Sequence, residues 1–464
     1  MIMHPSTGSG TPTGSGTSTG SGTPRMGRRA ALGLLGGAAA ALATGCSTDF
    51  RQVDGAVPAK FRQRQHLVAW HSYSSSTGEA LVKMVDAFNN SQSEVYVEAQ
   101  YQGSYEETQQ KLSAAIIARQ IPDLTVLSEV TWRAMHLADA LEPLEGYFDN
   151  ELKPEDYIEQ FITEGTVKGH IWWLPFARST PLFYFNKSVF TAAGLPARAP
   201  QTWDEFAEWA PKIKKVKAGT GAVMPLALDG GYSAWYFQGN MWQWKARYSD
   251  GLDILLDSAE GIAAATWMAD FIRKHKAAYL SAKSSIDFGN QAASAALMST
   301  ASLAQTTELA KASKFELGTG FLPEHDAFGC PTGGSGWGIM SKAPTERKQA
   351  AFQFLKFLGR PENSATWTMA TGYLPIVKKA QQDPRLVELV AKDPNFSTSL
   401  RQLPKTKTQD LARLVIPDAS NFMDDAFETL YSSAIPPERF AAQLAKKMRR
   451  KAELLEDNYR AHYE

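Results

Sequence analysis

The stretch Leu174-Pro-Phe-Ala-Arg-Ser-Thr-Pro-Leu-Phe-Tyr-Phe-Asn-Lys187 constrains this chain more than any other. Leu182 to Phe185 is a run of β-formers with the pattern of a buried strand. Pro175 and Pro181 keep the chain before it extended, because a residue preceding proline is pushed out of helical dihedrals. Ser179 and Thr180 therefore fall at a strand entry. Short hydroxyls at such a point offer hydrogen bonds to a polar ligand without burying an unpaired charge.

At 464 residues the chain is too long for one core, so two lobes are expected. Its 48 basic and 48 acidic residues cancel, which argues against a polyanion and excludes nucleic acid as the partner class. With two cysteines, Cys46 and Cys330, a disulfide framework is ruled out, and Cys330 reads as a small buried filler. The eight histidines are scattered without metal-ligand spacing. No Cys pair, Walker loop or Gly-x-Ser-x-Gly elbow is present, so no metal, cofactor or catalytic group is expected. Carboxylates are plentiful enough that a hydrolase with an acid pair stays as the out-of-class alternative.

Residues 1–24 are a near-repeat of Thr, Gly, Ser and Pro with almost nothing to bury, which predicts disorder. Met26-Gly-Arg-Arg29, the apolar run from Ala30 to Ala43 and Thr44-Gly45-Cys46 then follow as n-region, h-region and cleavage site. The run is too short for a membrane span. It resembles a bacterial lipoprotein signal, which implies a disordered tail and signal over residues 1–45 and a lipid-bearing Cys46. A polar tether over residues 46–65 completes this part, with export by the twin-arginine or the Sec route.

From His66 the pattern becomes globular. Leu67–Trp70 reads as a strand, the loop His71–Gly78 follows, and a helix carries Leu81, Val82, Val85 and Phe88 on one face. A strand at Val95–Val97, a helix ending near Gln120 and a strand at Asp123–Leu127 continue the alternation, which predicts α/β architecture with a parallel, helix-covered sheet. Ligands sit beyond the carboxyl ends of such strands, which marks His71 to Tyr73 and Ser128-Glu129. Further on, Thr202-Trp-Asp-Glu205 is a capping box opening a helix with Trp203, Phe206, Ala210 and Ile213 inward. Tyr232, Trp235, Trp242 and Trp244 crowd a segment without clean helical spacing; they either pack in the core or line a cleft. Pro331-Thr-Gly-Gly-Ser-Gly336 leads into a strand at Trp337–Met340, and its backbone N–H groups are open to an oxyanion; as a plain turn it would need no ligand.

The Leu174–Lys187 stretch resembles the strand by which bacterial extracellular solute-binding proteins pass from their first lobe to their second. Met298-Ser-Thr-Ala-Ser302, Phe321-Leu-Pro323, Thr371-Gly-Tyr-Leu-Pro375 and the loop Leu403–Arg413 are similar to segments of the members that bind glycerol 3-phosphate and glycerophosphocholine. The resemblance implies a two-lobe periplasmic-binding (Venus-flytrap, type II) fold hinged around a cleft. Residues 66–178 and 323–360 would form lobe 1, and residues 179–322 and 361–464 lobe 2. It implies the capture subunit of an ATP-driven (ABC) importer, lipid-anchored outside the cytoplasm, handing ligand to membrane permease subunits and catalysing nothing. Glu129 matches the carboxylate that accepts from glycerol hydroxyls, Ser179 a ligand-contacting serine, and Ser302, Gly334, Tyr373 and Arg413 the remaining polar contacts. An aromatic facing the site, Trp235 or Tyr73, would hold a choline by cation–π attraction or stack on a sugar. Each residue also has a plainer role: Arg413 in a surface ion pair, Glu129 capping the next helix, Tyr373 packed in the core. A maltose- or trehalose-type oligosaccharide binder is the alternative within the same fold, and a glycerophosphodiester hydrolase the alternative outside that class.

Overall fold

The computed structural model describes residues 49–218 and 221–463. The expected tail and signal, with Cys46, lie outside the described residues. No helix among the described residues is long and apolar enough to cross a membrane.

Two five-stranded sheets organise the body. The first has the order Val95–Tyr101, Gln65–His71, Leu124–Ser128, Gly333–Ile339, Leu174–Ser179. In the second the order is Tyr279–Ser281, Met224–Asp229, Ala293–Ser299, Pro181–Asn186, Leu317–Gly320. The first three strands of each sheet run parallel, as alternating strands and helices dictate. The fourth strand of each runs against both neighbours, which corrects the expectation of a wholly parallel sheet. These are the two strands that enter from the other lobe. A chain crossing over arrives at the cleft end of its new sheet and must run away from it, whereas the parallel strands run towards it.

Thr180 is the first crossing: Ser179 ends a strand of one sheet and Pro181 begins a strand of the other. The opening stretch is thus two buried strands around a hinge residue rather than one strand with a polar entry. Gly320 and Gly333 bracket the second crossing. The third lies between Leu386, which packs with the first sheet, and Phe396, which packs with the second. This corrects the expected boundary at residue 361. The helix Pro361–Thr371 belongs to the first lobe because Trp367 stacks on Phe176 at 4.4 Å, and Ala365, Ile376 and Val377 join the same core. Full burial of aromatics of this kind contributes roughly 1.5–3 kcal/mol each. The last helix, Glu456–Tyr463, also returns to the first lobe, where Asn458 Nδ2 donates to Leu137 O at 3.3 Å.

Other expectations change locally. The tether does not run free to residue 65: Arg51–Gln52 pairs with Gln120–Ile121, and Phe61 is buried against Tyr96 at 4.7 Å. The helix Ser75–Ser91 buries Leu81, Met84, Val85 and Phe88, while Val82 is 47% exposed because it lies off that stripe. Thr202 does cap Trp203–Ile213 by accepting from Glu205 N, but Glu205 reaches back to Gln201 N instead of closing a box. The segment around Trp235 and Trp242 is the helix Ser233–Gln243, every residue of it buried. A helix covered on all sides has apolar residues all round and shows no amphipathic period.

Candidate ligand-binding site

A cavity of about 340 Å³ opens between the two sheets at the carboxyl ends of their parallel strands, of a size for a small metabolite. Seven of the eight residues singled out in the sequence line it: Glu129, Ser179, Trp235, Ser302, Gly334, Tyr373 and Arg413. Tyr73 does not, which corrects its assignment. Its ring packs against Trp367 and Phe176, and its hydroxyl meets Ser335 Oγ at 2.7 Å, one layer beneath the cavity wall.

Each lining group is placed by a distinct local device. Glu129 follows the strand Leu124–Ser128, and its N–H donates to Gly334 O at 3.0 Å. Gly334 has φ +103°, and a Cβ there would lie 2.0 Å from Ala177 O, so only glycine fits. The helix Pro361–Thr371 ends at Gly372 in the left-handed region, which turns Tyr373 into the cavity with its ring stacked on Trp367. The Tyr105 hydroxyl beside it donates to Ser335 Oγ at 3.0 Å, and burial pushes the Tyr373 pKa up to about 12. Trp235 faces the cavity from the second lobe, its indole N–H donating to Thr332 O at 2.9 Å.

Arg413 is the cation of the wall. It sits in the short helix Leu411–Val415, so the end of the polar loop is helical, and it is only 2% exposed rather than on a surface. One guanidinium nitrogen donates to Gln409 Oε1 and another to Ser420 Oγ at 3.2 Å, while Nε has no protein partner. Gln409 in turn donates to Glu129 Oε1 at 3.0 Å. The guanidinium thus reaches Glu129 only through a neutral amide and keeps donor capacity for a ligand. Burial raises the Glu129 carboxyl above its ordinary range, with Arg178 and Arg413 opposing.

Behind the floor lies a second ionic layer. Arg178 and Glu164, both buried, form an ion pair; Thr332 Oγ1 donates to Glu164 Oε1 at 2.5 Å, and the guanidinium lies 5.0 Å from the Trp173 ring. Arg178 adjoins the first crossing and Thr332 the second.

Sequence reasoning missed Asp229 and Tyr236 of the second lobe, and Tyr105, Glu106 and Ser74–Thr77 of the first, and left Tyr232 open between core and cleft, where it lines the cavity. Asp229 ends the strand Met224–Asp229, so the strand-end rule applied to the first lobe would have found it in the second. Tyr232 and Tyr236 belong to the segment whose helix gave no periodic signal.

Residues 83–398 match the family model described as bacterial extracellular solute-binding protein. The sn-glycerol-3-phosphate-binding periplasmic protein UgpB of Escherichia coli (strain K12) is 29% identical over 402 residues, covering 80% of this chain and 88% of that protein. Among solved structures, UgpB from Mycobacterium tuberculosis in complex with glycerophosphocholine aligns with a TM-score of 0.78 and 30% identity, over 84% of this chain and 98% of that one. The GacH receptor of Streptomyces glaucescens, solved unliganded and with acarbose, aligns with a TM-score of 0.74 at 16% identity, covering 84% and 99% of the two chains, a likeness of fold. The family match spans more than half of the chain and the two-lobe fold agrees with it: the chain belongs to the bacterial extracellular solute-binding proteins and is the solute-binding subunit of an ABC importer.

Proposed function

We propose that the cavity captures a glycerophosphodiester, glycerophosphocholine in the first place, and that sn-glycerol 3-phosphate is the nearest competing ligand. The observation that carries this reading is Arg413, a buried guanidinium in the cavity wall with one nitrogen unpartnered and no carboxylate in direct contact. Such a group is built for phosphate oxygens. Glu129 accepts from glycerol hydroxyls, with Ser179, Ser302 and the backbone at Gly334 filling remaining positions. Three carboxylates of the lining, Glu106, Glu129 and Asp229, stand against this one cation, a balance that suits a ligand carrying its own positive charge. Trp235, Tyr232 and Tyr236 form an aromatic wall for a quaternary ammonium.

The ligand touches both lobes when they are shut and so shifts the equilibrium towards closure by the contacts it adds. It is released unaltered to the permease. Cys46 is the proposed lipid-bearing residue that keeps the protein at the membrane surface.

The same aromatic wall would also stack on a sugar, which keeps a maltose-type ligand as the second reading. A thermal-shift panel of glycerophosphocholine, glycerol 3-phosphate, maltose and trehalose on wild type and Arg413→Ala separates the two. Free ligand at 100 times its Kd stabilises by roughly 2.7 kcal/mol. Loss of the guanidinium should remove about 1.5–3 kcal/mol of phosphate-ester binding and spare sugars. A shift with a sugar beside silence from both phosphate esters would refute the ligand class.

A further inference from the structure

Asp424 lies outside the cavity wall and has no counterpart among the groups assigned to the ligand. It sits on the helix Ala419–Ser432 and is 9% exposed. Its Oδ1 accepts from Ala234 N at 2.7 Å, in the first turn of the helix Ser233–Gln243 that carries Trp235. Its Oδ2 accepts from Ser420 Oγ at 3.5 Å, and Ser420 Oγ accepts from Arg413 Nη2 at 3.2 Å. A hydroxyl has one proton to give, so a donation to Asp424 leaves its lone pairs for Arg413. The guanidinium is therefore suspended between two carboxylates, Glu129 through Gln409 and Asp424 through Ser420, each one neutral group away.

We propose that Asp424, acting through Ser420, is the positioning residue that sets how much negative charge Arg413 accepts, and that it takes up a proton when the anionic phosphate group of a ligand binds. The inference rests on the phosphate-ester reading of the cavity. An anion on Arg413 stands two hydrogen bonds from Asp424, a like-charge separation on the order of 8–10 Å, and at the effective dielectric of a protein that coupling changes affinity roughly twentyfold between the fully charged and fully protonated carboxyl. Protonation of Asp424 removes the repulsion while Ser420 still accepts from Arg413.

The surroundings place this titration within reach. Burial pushes the Asp424 carboxyl up to about 7; Arg413 opposes the rise, while Glu106 from the first lobe and Glu428 on its own helix add to it. Tyr248 and Tyr431 are the other titratable side chains facing it. An acid raised in the free protein and raised further by a bound anion gives affinity that increases as pH falls through that region.

The test is calorimetric titration of glycerophosphocholine into wild type and D424N between pH 6 and 8.5, in two buffers of different ionisation enthalpy. A phosphodiester keeps a single charge over this range, so any proton taken up belongs to the protein. Expected for wild type are roughly tenfold tighter binding at pH 6 than at pH 8.5 and net proton uptake near pH 7. D424N should bind without pH slope or uptake, with an affinity at pH 8.5 near that of wild type at pH 6. Persistence of slope and uptake in D424N, or their absence in wild type that binds the ligand, overturns the proposal and leaves the ligand reading intact. Failure of glycerophosphocholine to bind wild type at any pH overturns the ligand reading and this inference with it. Should D424N not fold, infrared difference spectra of 13C-aspartate-labelled wild type with and without ligand at pH 7 decide: a new protonated-carboxyl band is expected, and none would refute the uptake.

Discussion

Glu164→Gln is the substitution whose cost follows most directly from the geometry. Glu164 is 4% exposed and Arg178 0%. Among the described residues the guanidinium has only this carboxylate as its ionic partner, with Nε and Nη1 lacking any acceptor there and the faces of Trp173 and Phe161 lying 5.0 and 5.2 Å away. An amide in place of the carboxylate keeps the volume and the acceptor for Thr332 but leaves a buried positive charge without its counterion. Removing one member of such a pair costs about 3–5 kcal/mol. The folded body spans Phe50 to Glu464. At an unfolding entropy of about 2.1 cal/mol/K per residue, that cost lowers Tm by roughly 3–6 °C. Differential scanning calorimetry measures it directly. The control is the double variant E164L/R178M, which removes both charges and should fall within about 1–2 kcal/mol of wild type. Were E164Q to melt within a degree of wild type, or the double variant to suffer as much as the single one, the argument from an uncompensated buried charge would fail.

Three further perturbations probe other parts. Burial and the neighbouring His462 and Arg133 lower the pKa of His136 from 6.5 to about 4. The unfolded chain therefore binds the extra proton between those values, and stability is lost as pH falls from 6.5 to 4; His136→Phe should flatten part of that decline in urea titrations, and an unaltered profile would contradict the assignment. Gly372 has φ +92°, and a Cβ there would stand 2.4 Å from Thr300 O of the second lobe, so Gly372→Ala should cost about 1–2 kcal/mol in backbone strain and wedge the lobes apart, read as weaker ligand binding and a larger radius in solution scattering. The Cys330 thiol is fully buried and its pKa is raised by burial, so in a Cys46→Ser background a thiol reagent should leave Cys330 unlabelled in the native protein and react on unfolding; rapid native labelling of Cys330 would show that the second crossing opens.

Part of the candidate site was legible in local physics: a carboxylate after a β-run at Glu129, short hydroxyls between strand-forming runs at Ser179, a glycine-rich run with open backbone N–H groups at Gly334; Ser302, Tyr373 and Arg413 were reached only through the resemblance of their segments to a known family. Tyr73 was misjudged because a strand-end position fixes where a residue starts and not which way its side chain turns. The Ser233–Gln243 helix escaped because burial on every side erases its period. The lobe assignment of Trp367 depends on its stacking with Phe176, a contact between residues far apart in sequence that no local pattern encodes. Asp229 was within reach of a rule used on only one of the two sheets.

The chain passes between its lobes at Thr180, between Gly320 and Gly333, between Leu386 and Phe396, and once more just before the last helix, Glu456–Tyr463. One link would act as a ball joint, letting the halves swivel and twist at will. Four separate links act like the pins of a door, suppressing torsion and leaving a swing about a single line. Such a body does not have to search many mutual orientations to find the one in which groups from both halves meet a small molecule, and letting that molecule out retraces the same arc.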